Sequence, residues 1–569
     1  MAGPVHYEIY IRKTAPSSWT LSMATEDRKT AIDTAEDLMR DRQAVAVRVT
    51  KETLDPDTME FNSVVLMTRG APEAPKKQVA EIDVGPACQQ PGDLYAPHAR
   101  DLIGRVLEDW LFRNGATAYE LLHRPDLVEK LEASGVELQH ALQKIAIPEA
   151  QANGMATHDL IRHYQKLTGQ AMERVITAGR RKVFANLADH SLADIAHRIS
   201  GAPDRAFIIG GVICGALVGV KGARARLGAL MDLADRAPPA GPPRALILVC
   251  LEQILCELFA PRPNQAEILG PSLDLGGSMA AIVRMVAPRE IDRLVRADPR
   301  LTLLMPVVDG PAARLGEHLA AGEFPILAAS LARNVLRELM GPRRLRPSDP
   351  VGEIDILRTL AMSLTATAGR LLTMEEVQNA FVERSRSLVT ADFVANYVSL
   401  CETVLCEAET LTKLCENVTG PANKRSAARW LAACVTSLRF ETEMRNSPVR
   451  PTQKLHILAG LQRSVRASAL AEHDETQICT AIGEVGGVIE GEAKLSIQLG
   501  KAAAPAPQKL AALLRLAAGE TAPLGPAADR AKAEAIRLFR APETRTALGA
   551  APEALGELKG LMKSAGLAA

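Results

Sequence analysis

Short alternating runs of apolar and polar positions flank one helical stretch in the first seventy residues, and the pattern after them is different. His6 to Arg12 (HYEIYIR) alternates, with Tyr7, Ile9 and Ile11 on one face of an extended segment. A second short extended run, Trp19 to Met23, follows a Pro16-Ser17-Ser18 turn. Glu26 to Arg40 has helical spacing, with Ala31, Ala35 and Leu38 on one side and charges on the other. Ala44 to Lys51 alternates again through Val45, Val47 and Val49, Asp55-Pro56-Asp57 marks a turn, and Phe61 to Thr68 reads as a last strand. The order strand-strand-helix-strand-strand predicts a small antiparallel sheet with one helix packed on its face.

Residues 70–93 carry four prolines, many small residues and no period, the composition of a linker. From Tyr95 onward the spacing is helical, with breaks at Pro125, Pro148, Gly201 to Pro203, Pro238 to Pro243, Pro261 to Pro263, Pro306, Gly341-Pro342, Gly420-Pro421 and Pro448 to Pro451. The breaks are unevenly spaced, which excludes a fixed-period repeat array. The expected fold is therefore α+β overall: a small ββαββ module at residues 1–70, a Pro-rich linker at 71–94, then a large all-α body of antiparallel helical hairpins. The body divides by pattern into helical regions at 95–240 and 241–345, long hairpins at 346–500, and an Ala/Pro-rich helical tail at 501–569 that either docks or hangs loosely. Phe393, Tyr397, Leu400, Val404, Ala408, Leu411 and Cys415 predict one long helix, and Ala427, Leu431, Cys434 and Leu438 its antiparallel partner across Thr419-Gly420-Pro421. His456 to Leu470 and Thr476 to Leu499 repeat that arrangement.

The longest apolar run, Ala206 to Val220, has fifteen residues where a bilayer span needs about twenty. Its Gly211, Gly215 and Gly219 recur every fourth residue, so the expectation is a buried helix whose glycine face approaches a second helix closely.

A length of 569 residues suggests about three or four domains. With 67 basic and 67 acidic residues, the chain lacks the excess positive charge of a polyanion binder, and no nucleic-acid partner is expected. The N-terminal module has nine basic against eleven acidic residues, and Tyr7 and Tyr10 point to opposite faces, which disfavours base stacking. The tail carries ten basic against six acidic residues. No basic stretch leads into an apolar core at the N-terminus, so the expected location is the cytoplasm. The bias of 48 Arg to 19 Lys and the abundant alanine fit a GC-rich bacterial coding sequence. Nine cysteines without C-x-x-C spacing read as reduced thiols rather than as a disulfide framework or zinc knuckle.

Candidate chemistry is sparse. Gly215 to Gly222 (GALVGVKG) resembles a phosphate loop only superficially, because the spacing is wrong and no Ser or Thr follows Lys221; Lys221, Arg224 and Arg226 read as a solvated helix end. Gly276-Gly277-Ser278-Met279-Ala280 approaches the G-x-S-x-G nucleophile elbow, with His318 and Asp309 as conceivable partners, but lacks a surrounding parallel sheet; Ser278 then reads as a helix N-cap. His158 and His163, like Cys401 and Cys406, are five apart, about 140° on one helix, and His190 and His197 lack a completing carboxylate. Thr373 and Glu376 form a capping box rather than a Glu375-Glu376 dyad, and Arg180-Arg181-Lys182 and Arg343-Arg344-Leu345-Arg346 read as solvated surface. Thus no catalytic, cofactor-binding or metal residues are assigned, and no cofactor is expected. The functional expectation is a non-enzymatic protein-interaction or scaffold protein, compatible with a regulatory role, that binds protein partners or itself through its helical body and docks or senses through its N-terminal module. An enzyme, most concretely a serine hydrolase using Ser278, is the alternative, and a membrane-peripheral signalling protein without membrane insertion is the third.

Overall fold

Alternation places Ile9, Val47 and Val49 on the face of the N-terminal sheet that a helix covers. The computed structural model describes residues 5–13, 19–41, 43–54, 61–70, 88–549 and 552–567. Two compact units result, Met1–Ala87 with Leu142–Arg162, and Cys88–Ala141 with His163–Ala569. In the first, strands β1 (Val5–Arg12), β2 (Thr20–Thr25), β3 (Ala46–Leu54) and β4 (Phe61–Gly70) form an antiparallel sheet in the order β2-β1-β3-β4. Helix α1 (Arg28–Arg40) is opened by the Asp27 carboxylate, which accepts from Thr30 N at 2.7 Å. Ala31 and Ala35 on α1 meet Ile9, Val47 and Val49 in a small core, with Tyr7, Ile11, Leu38 and Met67 packed around it. Val45 falls outside the alternating set and is 40% exposed, because β3 begins only at Ala46. The Arg12 and Arg48 guanidiniums both lie over the Trp19 ring, 4.7 and 4.4 Å from its centroid, and Arg12 is buried. The Pro16–Ser18 and Asp55–Asp57 turns and linker residues 71–87 lie outside the described residues.

Past the linker, Pro91–Tyr95 form a 3-10 turn with Leu94 buried, so ordered packing begins before residue 95. The rest of the described chain folds into 28 α-helices with hairpin pairings. Many of the predicted breaks are helix starts: Pro125, Pro242, Pro421 and Pro451 occupy first helical positions, where the missing N–H would have no partner anyway. Pro148 differs. It lies inside the helix Val136–Asn153, which continues through it. One apolar core takes residues from all four helical segments, from Tyr119 to Ala565.

The long stripes of the central hairpins are cut. The chain leaves the helix Ala391–Val398, turns, and starts again at Val404–Asn417; Leu400 is 82% exposed. Likewise Pro421–Val435 ends before Leu438, which is 78% exposed at the start of Leu438–Asn446. Thr403 and Ser437 make these breaks by accepting from Cys406 N and Phe440 N at 3.2 and 3.1 Å.

Several helices are closed at their N-termini by a glutamate from elsewhere in the chain. The helix Pro325–Met340 begins after Phe324, which has φ +56° and offers no side-chain cap. Instead the buried Glu252 carboxylate accepts from Ile326 N at 2.6 Å and Leu327 N at 3.1 Å. Leu495–Lys501 repeats the device: Lys494 has φ +49°, and buried Glu490 accepts from Ser496 N at 3.0 Å. Glu443 adds a 2.9 Å bond from Val404 N, and Glu257 one of 2.7 Å from Tyr119 N. Each carboxylate meets N–H groups at the positive end of a helix.

Of the three glycines in the fourth-residue recurrence, Gly211 is closely packed and Gly215 and Gly219 are not. The helix Arg205–Ala216 ends before Gly219, and a Cβ on Gly215 would meet nothing within 4 Å. Within this helix Gly210 and Gly211 are the tight positions: a Cβ on Gly210 would lie 2.5 Å from the Tyr119 hydroxyl, and one on Gly211 would overlap the Phe184 ring. A second glycine face lies on Glu472–Ala493. A Cβ on Gly483 would overlap the Leu524 carbonyl oxygen, and one on Gly487 would lie 2.8 Å from Pro526 Cβ. Gln462 seals this contact, donating to Leu524 O at 3.0 Å and accepting from Leu524 N at 2.8 Å. The tail therefore docks on the body. Among the described residues no helix is long and apolar enough to cross a membrane.

Two expectations follow. Gly483→Ala, which meets unyielding backbone, lowers unfolding free energy by roughly 1–3 kcal/mol in a urea titration, whereas Gly215→Ala leaves it unchanged or raised by up to ~1 kcal/mol. Glu252→Ala, which leaves two N–H groups without an acceptor, costs about 1–3 kcal/mol in the same assay, and Glu252→Gln, which keeps an acceptor oxygen, costs less.

Candidate functional site

Ser278 sits in the first turn of the helix Leu275–Val286, half-buried, with its N–H bonded to Asp274 O at 2.9 Å. Asp274, not Ser278, is the N-cap, accepting from Gly277 N at 2.6 Å. The strand-to-helix turn of a nucleophile elbow is absent at this position. His318 is held by Glu323 through Nδ1 (2.6 Å) and by Asp235 through Nε2 (2.9 Å), and Asp309 pairs with Arg224 at 2.5 Å. Hydrogen bonding from Arg314, with His318 adding to it, holds the Asp235 carboxyl below the usual carboxylate range.

At the phosphate-loop look-alike, Glu267 accepts from Arg224 N at 3.2 Å, so a carboxylate already occupies that helix start. Arg226 is not solvated there: it is buried and bonded to Glu120. His158 pairs with its neighbour Asp159, His163 donates to Cys88 O at 3.0 Å, and His190 and His197 are exposed. Among the described residues no group of three or more His, Cys, Asp or Glu side chains is placed to hold a metal ion. Thr373 and Glu376 form their capping box, with bonds of 2.8 and 3.1 Å. The Arg343–Arg346 cluster is largely neutralised, since Arg344 pairs with Glu353 at 2.6 Å and Arg346 with Asp274 at 3.2 Å. Cys401 and Cys406, set apart by the helical reading, are brought together, with their Sγ atoms 3.2 Å apart.

Sequence reasoning misses a buried polar cluster around the helix Ala118–Leu121. Glu120 has no exposed surface and receives Arg226, Arg124 (3.2 Å) and Thr117 N (2.9 Å). Arg100 binds Glu257 at 2.7 Å and Tyr95 O at 2.7 Å. Burial raises the Glu257 carboxyl above its ordinary range, and Arg100 partly offsets the rise. His123 stacks on Tyr119 with centroids 4.2 Å apart, and its Nδ1–H donates to Tyr119 O at 2.7 Å. Burial pushes the His123 imidazole down to about 4, so it is neutral at neutral pH. The Thr117-x-x-Glu120 capping box is the one signal of this cluster visible in sequence. Its charges are paired with one another, which suits fastening helices together rather than reacting with a substrate.

An open recess with a mainly apolar lining lies on the tail. Leu510, Leu514, Ala535 and Leu558 form its floor, all buried, and Ile536, Phe539, Met562 and Leu567 its sides. These residues come from the helices Ala506–Ala517, Pro526–Arg540 and Pro552–Ser564 and the turn after the last. The groove encloses about 220 Å³, Phe539 is 40% exposed, and the exposed Arg540 stands at the rim. A larger recess of about 460 Å³ borders Pro325, Ile326, Ala329, Ser330, Arg333 and Arg337, but all six belong to the outer face of one helix. The tail groove is the stronger candidate because three helices converge on it and an aromatic ring is left partly uncovered. The chain matches no family model, no curated protein and no solved structure.

The buried imidazole makes stability depend on pH. Below about pH 6.5 the unfolded chain takes up a proton at His123 that the folded chain refuses until about pH 4. The corresponding stability is present above pH 6.5 and lost as pH falls through this window, by about 3 kcal/mol. His123→Asn, whose amide can replace the Nδ1 bond without titrating, is expected to flatten that part of the profile when both proteins are unfolded in urea from pH 7.5 to 4.

Proposed function

We propose that the protein is a non-enzymatic interaction or scaffold protein of the cytoplasm, compatible with a regulatory role, whose helical body binds a protein partner while the N-terminal module docks or senses. The tail groove carries this reading. Its volume of about 220 Å³ falls below the roughly 300 Å³ at which small-molecule pockets begin, and it suits side-chain anchors of a docking helix. Arg540 at the rim and a tail with ten basic against six acidic residues favour an acidic amphipathic helix. Ser278 gains no comparable support, since it lies in a helical turn and His318 is engaged by Asp235 and Glu323.

Photo-crosslinking from position 539 of the full-length chain in native cytosol tests the proposal. The expected product is one partner protein joined through an acidic amphipathic helical segment, with affinity for that segment falling at least tenfold in Phe539→Asp, about 1.4 kcal/mol. Folding of the variant, followed by thermal melting, is expected to change little because the ring is partly exposed. Crosslinks only to a second copy of the chain would replace the partner by self-association; no crosslink at all, with Phe539→Asp indistinguishable from wild type in every binding assay, overturns the groove reading.

A further inference from the structure

Cys401 and Cys406 meet because the chain turns between them. After the helix Ala391–Val398, Cys401 N donates to Val398 O at 2.9 Å, and Thr403 opens the next helix by accepting from Cys406 N. On one continuous helix, side chains five apart diverge by about 140°. Across this turn the two Sγ atoms are 3.2 Å apart, and Cys401 Sγ lies 3.4 Å from Thr410 Oγ1. Among the described residues Cys406 is the one exposed cysteine; Cys401 and Cys256 are half-buried and six others are buried.

We propose that Cys401 and Cys406 form a reversible dithiol–disulfide site that exchanges with low-molecular-weight disulfides of the glutathione kind. Cys406 releases its proton to water, and its thiolate attacks one sulfur of the small disulfide. A mixed disulfide forms, the small disulfide's S–S bond breaks, and the departing thiolate is protonated by solvent. Cys401 then releases its proton and attacks Cys406 Sγ. The Cys401–Cys406 bond forms, the mixed disulfide breaks, and the second small thiolate leaves and is protonated. Two cysteine thiols are thereby oxidised by two electrons, and one small disulfide is reduced to two small thiols.

Access sets the order, because Cys406 is exposed and Cys401 is half-buried. Burial raises the Cys401 thiol above its usual range and so lowers its thiolate fraction, which is offset in the second step because attack is intramolecular and proximity replaces concentration. The sulfurs must close from 3.2 Å to about 2.0 Å. The turn between the helices carries Leu400, 82% exposed, so little core packing opposes that movement. Oxidation would fasten this turn to the first turn of Val404–Asn417.

The reduced full-length protein, freed of reductant, is incubated natively with glutathione disulfide, alkylated, unfolded and analysed by thiol counting and peptide mass mapping. Two of the nine thiols should be lost, with the Cys401 and Cys406 peptides cross-linked, no glutathione retained, and full reversal by dithiothreitol. Cys401→Ser should instead trap one glutathionyl group on Cys406. The proposal fails if wild-type Cys406 keeps glutathione without cross-linking, or if both thiols stay free while iodoacetamide still modifies Cys406.

Discussion

A helix leaves its first N–H groups without partners, and a body built from many helices must find acceptors for all of them. In this protein some of those acceptors are glutamates carried on another helix. Glu252 serves Ile326 and Leu327, Glu490 serves Ser496, Glu443 serves Val404, and Glu257 serves Tyr119. Phe324 and Lys494 occupy the left-handed region immediately before two of these helices, a conformation unfavourable for side chains with a Cβ. The carboxylate bond and the strained residue belong together, since the turn that lets the chain reverse also aims the helix start at the buried acid. Each such bond joins two helices and satisfies a backbone requirement in one contact.

Charge burial supports the same assembly. Glu120 and Glu257 are taken out of water only because Arg226, Arg124 and Arg100 go with them. His123, packed against Tyr119 and beside Gly210, takes the neutral form instead. A glycine at 210 is required by that packing, as glycines at 483 and 487 are required by the tail. Without the Gly483 approach to Leu524, the helices that line the groove would lack their seat on Glu472–Ala493. The candidate binding surface therefore depends on a residue with no side chain lying outside the groove.

Helix breaks shape what reaches the surface. Thr403 and Ser437 each end a longer amphipathic pattern by capping a new helix, and the apolar residues Leu400 and Leu438 are turned outward as a result. The same break brings Cys401 to Cys406. A continuous helix would have buried more apolar surface and kept the thiols apart. Local hydrogen bonding by a threonine thus decides whether a reactive pair exists.

Periodicity alone determined the ββαββ order, the helical character of the body and the faces carried by Ile9, Val47, Ile478 and Ile482, because those depend on neighbours two to four residues away. Prolines at helix starts and the Thr373–Glu376 box were legible for the same reason. The continuation of a helix through Pro148 and the outward turn of Leu400 were not, since there a local signal competes with packing. Nor was the burial of Arg226, which depends on Glu120 more than a hundred residues away. Which glycine face is used, Gly483 and Gly487 rather than Gly215 and Gly219, follows from what stands opposite each one. The groove needs three helices brought together and the dithiol needs a turn of defined geometry, so tertiary structure decided both: spacing along a chain records separation in sequence, while reactivity and recognition depend on separation in space.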